Sequence, residues 1–461
     1  MFEANVYRRR RRLLGQKVGS GLILFLGNEE VPMNYPANTY HFRQDSSFLY
    51  FFGLDTPGLA AVVDVDENKV TLFGDDIGLE DIIWMGYLPR LKERARPAGV
   101  THTAPSVKLE EIVRRARSKG REVHFLPPYR PEAKARLSRL LGISPGNLKA
   151  KSSPDLIRAV VSQRIIKSAL EVREIEKALA VSRRMYLTAM KMIKPGILEQ
   201  EVAGRMDGLA LAGGAGTAFP TILTVNGQIL HNHDHSHVMR KGRLVVVDSG
   251  AESKSHYASD ITRTLPVSGK FTTRQREVYE IVLAAQETAI AAMKPGVMYR
   301  DVHLKAARLM ASGLKEIGLM KGDPAEAVAA GAQALFFPHG LGHSLGLDVH
   351  DMENLGENYV GYDDKTKRSE QFGLAYLRFA LELRPGQVMT VEPGIYFIPA
   401  LVAQWKKAKK NTGFVNFIKV ETYLDFGGIR IEDNILITSG GRRVLGDPIP
   451  KKVKDIERVM A

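Results

Sequence analysis

The chain has 461 residues, of which 44% are hydrophobic, and it carries 65 Lys plus Arg against 51 Asp plus Glu. This length suggests two or three domains with real cores, which excludes a disordered or fibrous protein. The absence of cysteine excludes a disulfide framework, a thiolate nucleophile, an iron–sulfur cluster and any zinc site built on cysteine. The formal charge of +14 initially leaves a nucleic-acid or anionic-membrane partner open.

The first residues contain a basic run, Arg8 to Arg12, but no apolar stretch long enough for a secretion signal follows it. No later segment offers the roughly 18 uninterrupted apolar residues of a membrane span. We therefore expect a cytoplasmic protein that makes no membrane contact.

Short apolar runs separated by turn residues predict strands between about residues 20 and 75, as in Leu22–Leu26 and residues 60–65. A polar stretch that ends in Ser153-Pro154 predicts a domain boundary. We place one domain at residues 1–155 and a second at residues 156–461. Helical spacing of apolar residues over 156–192 predicts one or two amphipathic helices, with a helical linker at about 156–175.

The second domain contains an internal repeat. Lys194-Pro195-Gly196, followed by Glu201, recurs with the same spacing as Lys294-Pro295-Gly296, followed by Asp301. A duplicated αβ unit would place two similar halves around a pseudo-twofold axis, with a cleft between them. The alternative is that Lys-Pro-Gly is only a common helix stop.

Several segments of this domain end in side chains that suit metal ions. A buried-strand run ends at Asp248, and Asp260 follows at a distance that suits a returning hairpin. Each residue alone has an ordinary explanation, as a turn carboxylate or a core histidine. Together, four carboxylates and one imidazole suit two divalent ions such as Mn²⁺ or Co²⁺. These segments offer the carboxylates of Asp248, Asp260, Glu392 and Glu432 and the imidazoles of His339, His343 and His350.

These segments resemble the pita-bread metallopeptidases, in the branch of Xaa-Pro aminopeptidase (aminopeptidase P) and Xaa-Pro dipeptidase (prolidase). The segments that carry the resemblance are residues 257–264, 339–351, 391–396 and 428–433. Residues 42–46 and 51–53 are similar to the amino-terminal domain of the same branch. The resemblance implies an α+β protein with a smaller mixed α/β amino-terminal domain. It also implies a carboxy-terminal pita-bread catalytic domain with pseudo-twofold symmetry.

The resemblance implies that Asp260 and Glu432 bridge two metal ions and that Asp248, His343 and Glu392 complete the ligand set. The expected ion is Mn²⁺, with Co²⁺ or Zn²⁺ as alternatives. A hydroxide between the ions would attack the Xaa-Pro carbonyl, while Glu392 carries a proton to the leaving proline nitrogen. The further active-site residues implied are His231, His339, His350 and Arg430.

Two residues bear on substrate and assembly. Arg378 stands where prolidase-type sequences carry an arginine that pairs with a dipeptide's carboxylate, and its alternative is an ordinary surface arginine. Trp84 matches a family tryptophan that reaches a neighbouring subunit's active site, which implies a homodimer or homotetramer. Its alternative is a core aromatic of the first domain. The sequence leaves the choice between aminopeptidase and dipeptidase open.

The expected partner is a peptide or dipeptide with proline in the second position, and no nucleic acid. The charge is then interpreted as a solvated surface, with Arg8 to Arg12 on the polar face of a first helix. Other hypotheses are a methionine aminopeptidase-like enzyme and a non-catalytic basic binding protein on the same fold. Creatinase-like enzymes share the architecture but lack the metal set. His233, His235 and His237 are expected to form a polar rim, with a metal role as the alternative.

Overall fold

The computed structural model describes residues 2–461. The chain divides into two compact units. One contains the residues up to Arg164 together with Met352–Tyr359, and the other contains Ile165–Asp351 and Val360–Ala461. Helix 154–164 thus groups with the first unit, and the domain boundary at 155/156 stays a prediction.

The first unit is built on a five-stranded mixed sheet in the order β6-β5-β4-β1-β7, with β1–β7 and β5–β6 parallel and the inner pairs antiparallel. The strands predicted at 22–26 and in 60–65 are confirmed as β1 and β4. The strands are β1 Leu22–Leu26, β2 Pro32–Tyr35, β3 Asn38–Thr39, β4 Ala60–Asp64, β5 Lys69–Phe73, β6 His102–Ala104 and β7 Val123–Phe125. The helices are α1 Ala4–Val18, α2 Ser46–Phe52, α3 Leu79–Met85, α4 Leu91–Ala95, α5 Lys108–Ser118, α6 Pro131–Leu141, α7 Leu148–Lys151 and α8 Pro154–Arg164, with a 3₁₀ turn at Pro145–Asn147.

The basic run on α1 is not a uniform polar face, so that part of the prediction is wrong. Arg10 and Arg11 are buried. Arg10 donates to the carbonyl of Tyr50 at 2.8 Å, and Arg11 donates to that of Phe51 at 2.6 Å. These carbonyls belong to the last turn of α2, where a cation is favoured by the unpaired carbonyls and the helix dipole. Two of the five arginines therefore stabilise the first unit's interior.

Helix α3 has no buried residue. Trp84 is 78% exposed, and Leu79, Ile83 and Met85 are each at least 70% exposed. The alternative that Trp84 is a core aromatic is therefore wrong, and the unit presents an apolar helix face to its surroundings.

The second unit contains two three-stranded sheets, in the orders β12-β10-β9 and β13-β16-β17, and two short pairs, β11-β8 and β14-β15. Its strands are β8 Gly216–Thr217, β9 Ile222–Val225, β10 Leu244–Ser249, β11 Ala251–Glu252, β12 Ile261–Pro266, β13 Val388–Val391, β14 Gly394–Tyr396, β15 Gly428–Arg430, β16 Asp433–Thr438 and β17 Gly441–Val444. The remaining helices are α9 Ala169–Met192, α10 Glu199–Gly213, α11 Thr273–Ala292, α12 Tyr299–Glu316, α13 Pro324–Ala329, α14 Glu357–Val360, α15 Pro399–Lys407, α16 Phe417–Glu421 and α17 Val453–Met460. Single 3₁₀ turns lie at Ala332–Leu335 and Leu374–Tyr376. A further 3₁₀ turn at Glu353–Leu355 and residues 357–359 of α14 belong to the first unit.

The internal repeat has the same backbone structure in both copies. Gly196 and Gly296 have φ values of 93° and 85°, and their N–H groups donate to Met239 and Leu383 at 2.9 and 3.0 Å. Positive φ suits glycine. Each copy connects two long helices, α9 to α10 and α11 to α12. The hypothesis that Lys-Pro-Gly is only an isolated helix stop does not account for this shared pairing.

In the described part of the chain, no helix is both long enough and apolar enough to cross a membrane.

Candidate metal centre

The first two predicted ligands lie on a hairpin, as their spacing predicts. Strands β10 and β12 pair antiparallel, with Asp248 opposite Thr262. Asp260 precedes β12, and its backbone N–H and C=O bond to the side-chain amide of Asn434 at 3.1 and 2.5 Å. The first carboxylate is therefore carried by a buried central strand, and the second is fixed by a side chain from β16.

Glu392 and His343 are brought together because residues 341–345 run antiparallel to β13. The N–H of Glu392 donates to Leu341 at 2.8 Å, and the N–H of Thr390 donates to the carbonyl of His343 at 2.9 Å. His343 Nε2 consequently lies 3.6 Å from Glu392 Oε1.

Asp260, His343 and Glu432 form a compact buried cluster whose ligand atoms all lie within 4.8 Å of one another. His343 Nε2 is 3.2 Å from Asp260 Oδ2. Glu432 pairs with Thr262 in an isolated antiparallel bridge, and its Oε2 accepts a 2.7 Å bond from the Thr262 hydroxyl. This bridge connects the two halves of the repeat at the cluster.

The imidazole of His343 is held in one tautomer. Its Nδ1 lies 3.1 Å from the carbonyl oxygen of Ser344, and because a carbonyl can only accept, Nδ1 carries the proton. Nε2 is then left with its lone pair directed at the carboxylates. This is the usual arrangement of a metal-binding histidine.

The carboxylates of the cluster are not compensated by cations. Neither Asp260 nor Glu432 forms an ion pair with a lysine or arginine among residues 2–461, and burial raises the pKa of both well above the usual range. Burial, followed by the charge of Asp260, raises the pKa of Glu392 to about 8. The pKa of Asp433, the residue after Glu432, shifts in the opposite direction. Arg263 and Lys451 outweigh the effect of burial and lower it.

A hydrogen-bonded chain leads away from Asp248. Arg430 donates to Asp248 Oδ2 at 2.6 Å and to the Tyr396 hydroxyl at 2.7 Å. Tyr396 lies 3.0 Å from His339 Nε2, and the other nitrogen of His339 lies 2.8 Å from the carbonyl of Gly340. Burial lowers the pKa of His339 to about 3. His339 is therefore neutral, with a proton on Nδ1, and its Nε2 accepts from Tyr396.

The other predicted residues lie around this cluster. The rings of His350 and His343 have centroids 4.1 Å apart. Desolvation and then the charge of Arg430 lower the pKa of His231, and weaker contributions come from Asp248 and His350. The charge of Arg378 acts on both His231 and Glu392. All three side chains therefore lie within electrostatic reach of the carboxylates.

Comparison with known families identifies the chain. A model of metallopeptidase family M24 matches residues 173–439, and a model of the aminopeptidase P amino-terminal domain matches residues 6–124. The chain belongs to metallopeptidase family M24. Its relatives include a probable Xaa-Pro aminopeptidase of Aspergillus fumigatus, which is 31% identical over 91% of this chain and 88% of its own length. The human Xaa-Pro dipeptidase is 31% identical over 96% of this chain and 90% of its own length.

Solved structures agree along the whole chain. A variant of Escherichia coli aminopeptidase P in complex with substrate is 30% identical, with a TM-score of 0.80, and the match covers 100% of this chain and 98% of that one. Zinc-substituted E. coli aminopeptidase P in complex with product matches with a TM-score of 0.81, 30% identity and the same coverage. These findings confirm the predicted two-domain α+β architecture with an M24 pita-bread domain.

The donor set of this M24 member fits bound metal ions. Asp248 Oδ1, Asp260 Oδ1 and Glu432 Oε1 are buried and have no hydrogen-bond partner. A buried carboxylate oxygen without a partner is costly, and a divalent cation would compensate all three. Oxygen donors with one imidazole suit Mn²⁺, Co²⁺ or Zn²⁺.

Several residues that support the ligands have no role predicted from the sequence. Tyr396 stands inside the segment 391–396 that carries the family resemblance, so its proximity to the site was detectable. Thr262 lies likewise inside the segment 257–264. Asn434 holds Asp260 in place, but nothing in its spacing distinguishes it from other strand residues.

The histidine-rich loop does not form a second metal cluster in the described residues. His235 Nδ1 lies 3.1 Å from the carbonyl of Leu223, and His237 Nδ1 lies 3.1 Å from the buried carboxylate of Glu199. Glu199 also accepts from the backbone N–H groups of Val225 and His237. These contacts fix the loop that follows His231.

Proposed function

We propose that this protein is a metal-dependent exopeptidase that hydrolyses the amino-terminal Xaa-Pro bond of peptides and dipeptides. The observation that carries the proposal is the cluster of Asp260, His343 and Glu432, whose buried carboxylates lack cationic partners. The similar Xaa-Pro aminopeptidases and Xaa-Pro dipeptidase support the substrate class.

The ligands proposed for two divalent ions are Asp248, Asp260, His343, Glu392 and Glu432, with Asp260 and Glu432 shared between the ions. Mn²⁺ is the proposed metal, and Co²⁺ or Zn²⁺ are alternatives. When bound, the two ions supply a hydroxide nucleophile near neutral pH and polarise the scissile carbonyl.

Glu392 is proposed to accept the proton of the attacking water and to deliver it to the departing proline nitrogen. In the protein without metal, burial and the charge of Asp260 raise the pKa of Glu392 to about 8. As a metal ligand Glu392 would be ionised, so it could accept the proton of the water and release it to the leaving nitrogen. The same carboxylate can thus serve both halves of the reaction.

His231 and His350 are proposed to donate hydrogen bonds to the oxygen that becomes charged in the tetrahedral state. A well-placed donor of this kind contributes about 3 to 4 kcal/mol. The chain Asp248–Arg430–Tyr396–His339 is proposed to hold the site's geometry, because each link is a short hydrogen bond between buried or half-buried groups.

Proline's tertiary amide has no N–H. Selectivity for it is therefore proposed to depend on the shape of an apolar pocket, since a hydrogen bond to that nitrogen is unavailable.

Arg378 is proposed to pair with the free carboxylate of a dipeptide substrate. Its charge acts on His231 and Glu392, so a carboxylate at the far end of a short substrate would lie within its reach. A guanidinium forms paired hydrogen bonds with a carboxylate.

The proposal is tested by offering Mn²⁺-loaded protein an Xaa-Pro dipeptide and an Xaa-Pro-Xaa tripeptide, with release of the first residue as the measurement. If the protein cleaves neither substrate, the proposed function is contradicted.

In Arg378→Ala we expect KM for the dipeptide to rise about 10- to 100-fold, as for a lost charged hydrogen bond. The tripeptide should change little, and equal effects on both would contradict this role of Arg378. Arg368→Ala serves as an arginine control from the same segment.

A homodimer or homotetramer is also proposed, with α3 in the interface. Its exposed apolar residues, including Trp84, are more than isolated surface hydrophobics. Light scattering of the wild-type protein and of Trp84→Glu tests this, and an unchanged mass in the variant contradicts it.

We also propose a cytoplasmic location and the absence of a nucleic-acid partner. Strongly salt-dependent binding of nucleic acid would contradict the second proposal.

A further inference from the structure

A buried ion pair lies next to the segment that carries His343. Lys167 Nζ donates to Asp351 Oδ2 at 2.9 Å, and each side chain is 1% exposed. Lys167 also lies 3.3 Å from the hydroxyl of Ser344. Burying two opposite charges is expensive, and hydrophobic replacements of similar volume are often as stable. The pair is therefore poorly explained as a device for stability alone.

The pair contacts both backbone segments that carry the imidazole and its neighbouring carboxylate. The backbone N–H of Lys167 donates to the carbonyl of Gly386 at 2.7 Å, at the start of the segment that leads into β13 and Glu392. The backbone N–H of Asp351 donates to the carbonyl of Ser344 at 2.9 Å. That same carbonyl accepts the Nδ1 proton of His343.

The surrounding loop packs closely against the carboxylate of Asp351. A Cβ placed on Gly346 would lie 2.5 Å from Asp351 Oδ2, and the N–H of Asp348 donates to Asp351 Oδ1 at 3.3 Å. The carbonyl of Gly346 accepts from Ala258, two residues before Asp260. The loop closed by Lys167 and Asp351 thus contacts the hairpin of the first half as well.

We propose that Lys167 and Asp351 are positioning residues that hold the Ser344 carbonyl, and through it the Nδ1–H tautomer of His343, so that Nε2 is directed to the metal. This inference rests on the proposed metal role of His343. The contacts above connect both residues to the backbone around His343, so their effect is proposed to pass through the backbone and the imidazole. Removing such supporting groups typically weakens metal binding 10- to 100-fold.

The test uses Lys167→Met and the double variant Lys167→Met/Asp351→Leu. The single change leaves a buried carboxylate without its cation, whereas the double change removes both charges. Mn²⁺ affinity is measured by calorimetry, coordination geometry by the visible spectrum of bound Co²⁺, and stability by melting of the metal-free protein. Lys177→Met is the matched control, because Lys177 pairs with Glu174 on the same unit but is 69% exposed.

We expect both variants to bind Mn²⁺ about 10- to 100-fold more weakly and to show an altered Co²⁺ spectrum, while the double variant regains metal-free stability. The control should match wild type. A double variant with wild-type Mn²⁺ affinity would overturn the proposal, because the pair would then serve stability only. If the single variant does not fold, the double variant, which has no unpaired buried charge, decides the question.

A readout without metal separates this inference from the proposed function. In metal-free protein labelled with ¹⁵N-histidine, the His343 ring should be a single Nδ1–H tautomer in wild type and a mixture in the double variant. An unchanged tautomer would contradict the inference even if the protein cleaved no Xaa-Pro peptide. If the wild-type protein binds metal but cleaves neither substrate, the proposed function is contradicted, whereas the proposed positioning role of Lys167 and Asp351 is not affected.

Discussion

The two halves of the catalytic unit share one backbone plan but differ in what they carry. Gly242 lies six residues before Asp248, and Gly386 lies six residues before Glu392, with φ values of 82° and 89°. The interval that precedes these glycines is 46 residues from Gly196 in the first half and 90 from Gly296 in the second.

The longer interval of the second half contains His339, His343, His350 and Arg378, whereas the first contains the loop with His231. The duplicated strands therefore place the carboxylates, and the unequal connections place the imidazoles and the guanidinium. The carboxylate positions thus follow the repeat, whereas the imidazoles, including that of His343, and the guanidinium of Arg378 lie in connections that differ between the halves.

The largest effect is expected where the halves meet. In Asp260→Ala, the cluster loses the carboxylate nearest His343, so we expect loss of bound metal and a fall in kcat/KM of at least about 10³-fold, equivalent to several kcal/mol. Metal content and steady-state kinetics are the measurements, and the exposed Asp447→Ala is the control. The metal-free variant should remain folded, because a buried carboxylate without a cation has been removed. Full metal content in Asp260→Ala would contradict the ligand assignment.

The next effect compares one histidine from each half. We expect His350→Ala to lower kcat about 10²- to 10³-fold, as for loss of a donor to a developing oxyanion. His231→Ala should have a smaller effect, because His231 is more exposed and water can replace it there. KM should change little in either variant. Purely KM effects would indicate ground-state binding instead.

A pH effect follows from the raised carboxylate pKa values. Since the pKa of Glu392 is raised to about 8 in the folded protein, its neutral form stabilises the metal-free state. That contribution is full below the ordinary pKa of about 4.5 and is lost as the pH rises through about 8. We expect the free energy of unfolding of chelator-treated wild type to fall relative to Glu392→Gln between pH 5 and 8.5. Parallel urea-denaturation profiles would contradict this.

Metal binding should oppose the loss of stability at high pH, because the ligands bind metal in their ionised form and release protons. Calorimetry in buffers of different ionisation enthalpy should therefore show protons released on Mn²⁺ binding near pH 7. The lowered pKa of His339 has the opposite effect on stability. Its contribution to the free energy of unfolding is present above about pH 6.5 and is lost at lower pH. Comparison with Glu392→Gln cancels it, because both proteins retain His339.

The smallest predicted effect tests the equivalence of the halves. Gly196→Ala and Gly296→Ala place a side chain at positive φ in open space, so each should destabilise by about 1 to 2 kcal/mol through backbone strain. Denaturant unfolding measures both. Gly204→Ala, within α10, should instead be neutral or stabilising. A cost in only one repeat would show that the two turns are not equivalent.

Much of this arrangement was predictable, because strand ends are marked in the sequence. The buried run that ends at Asp248 lies in β10, and the helical spacing over 156–192 corresponds to α8 and α9. The repeat was visible because each turn needs a glycine at positive φ. Local rules of this kind act over a few residues, which is the range that a single sequence displays.

Long-range pairing could not be predicted. Arg10 and Arg11 resemble their exposed neighbours in sequence, and only the position of α2 decides that they are buried. Lys167 and Asp351 are 184 residues apart, and neither has a local pattern that indicates an ion pair. The opposite pKa shifts of Glu432 and Asp433 arise likewise, because adjacent strand residues face different surroundings.

Arg263 has a consequence for how the centre is assembled during synthesis. Its guanidinium donates to the carbonyl of Glu432, to Asp433, and to the carbonyls of Ile449 and Pro450. Strand β12, which directly follows Asp260, thus completes its packing only with residues 186 and 187 positions after Arg263 in the chain. The part of the first unit up to Arg164 precedes this strand and can begin to fold while the rest is still being made, although Met352–Tyr359 joins this unit later. The cluster of Asp260, His343 and Glu432 is by contrast completed late, so a chain interrupted before residue 449 would hold Asp260 next to an incompletely packed strand.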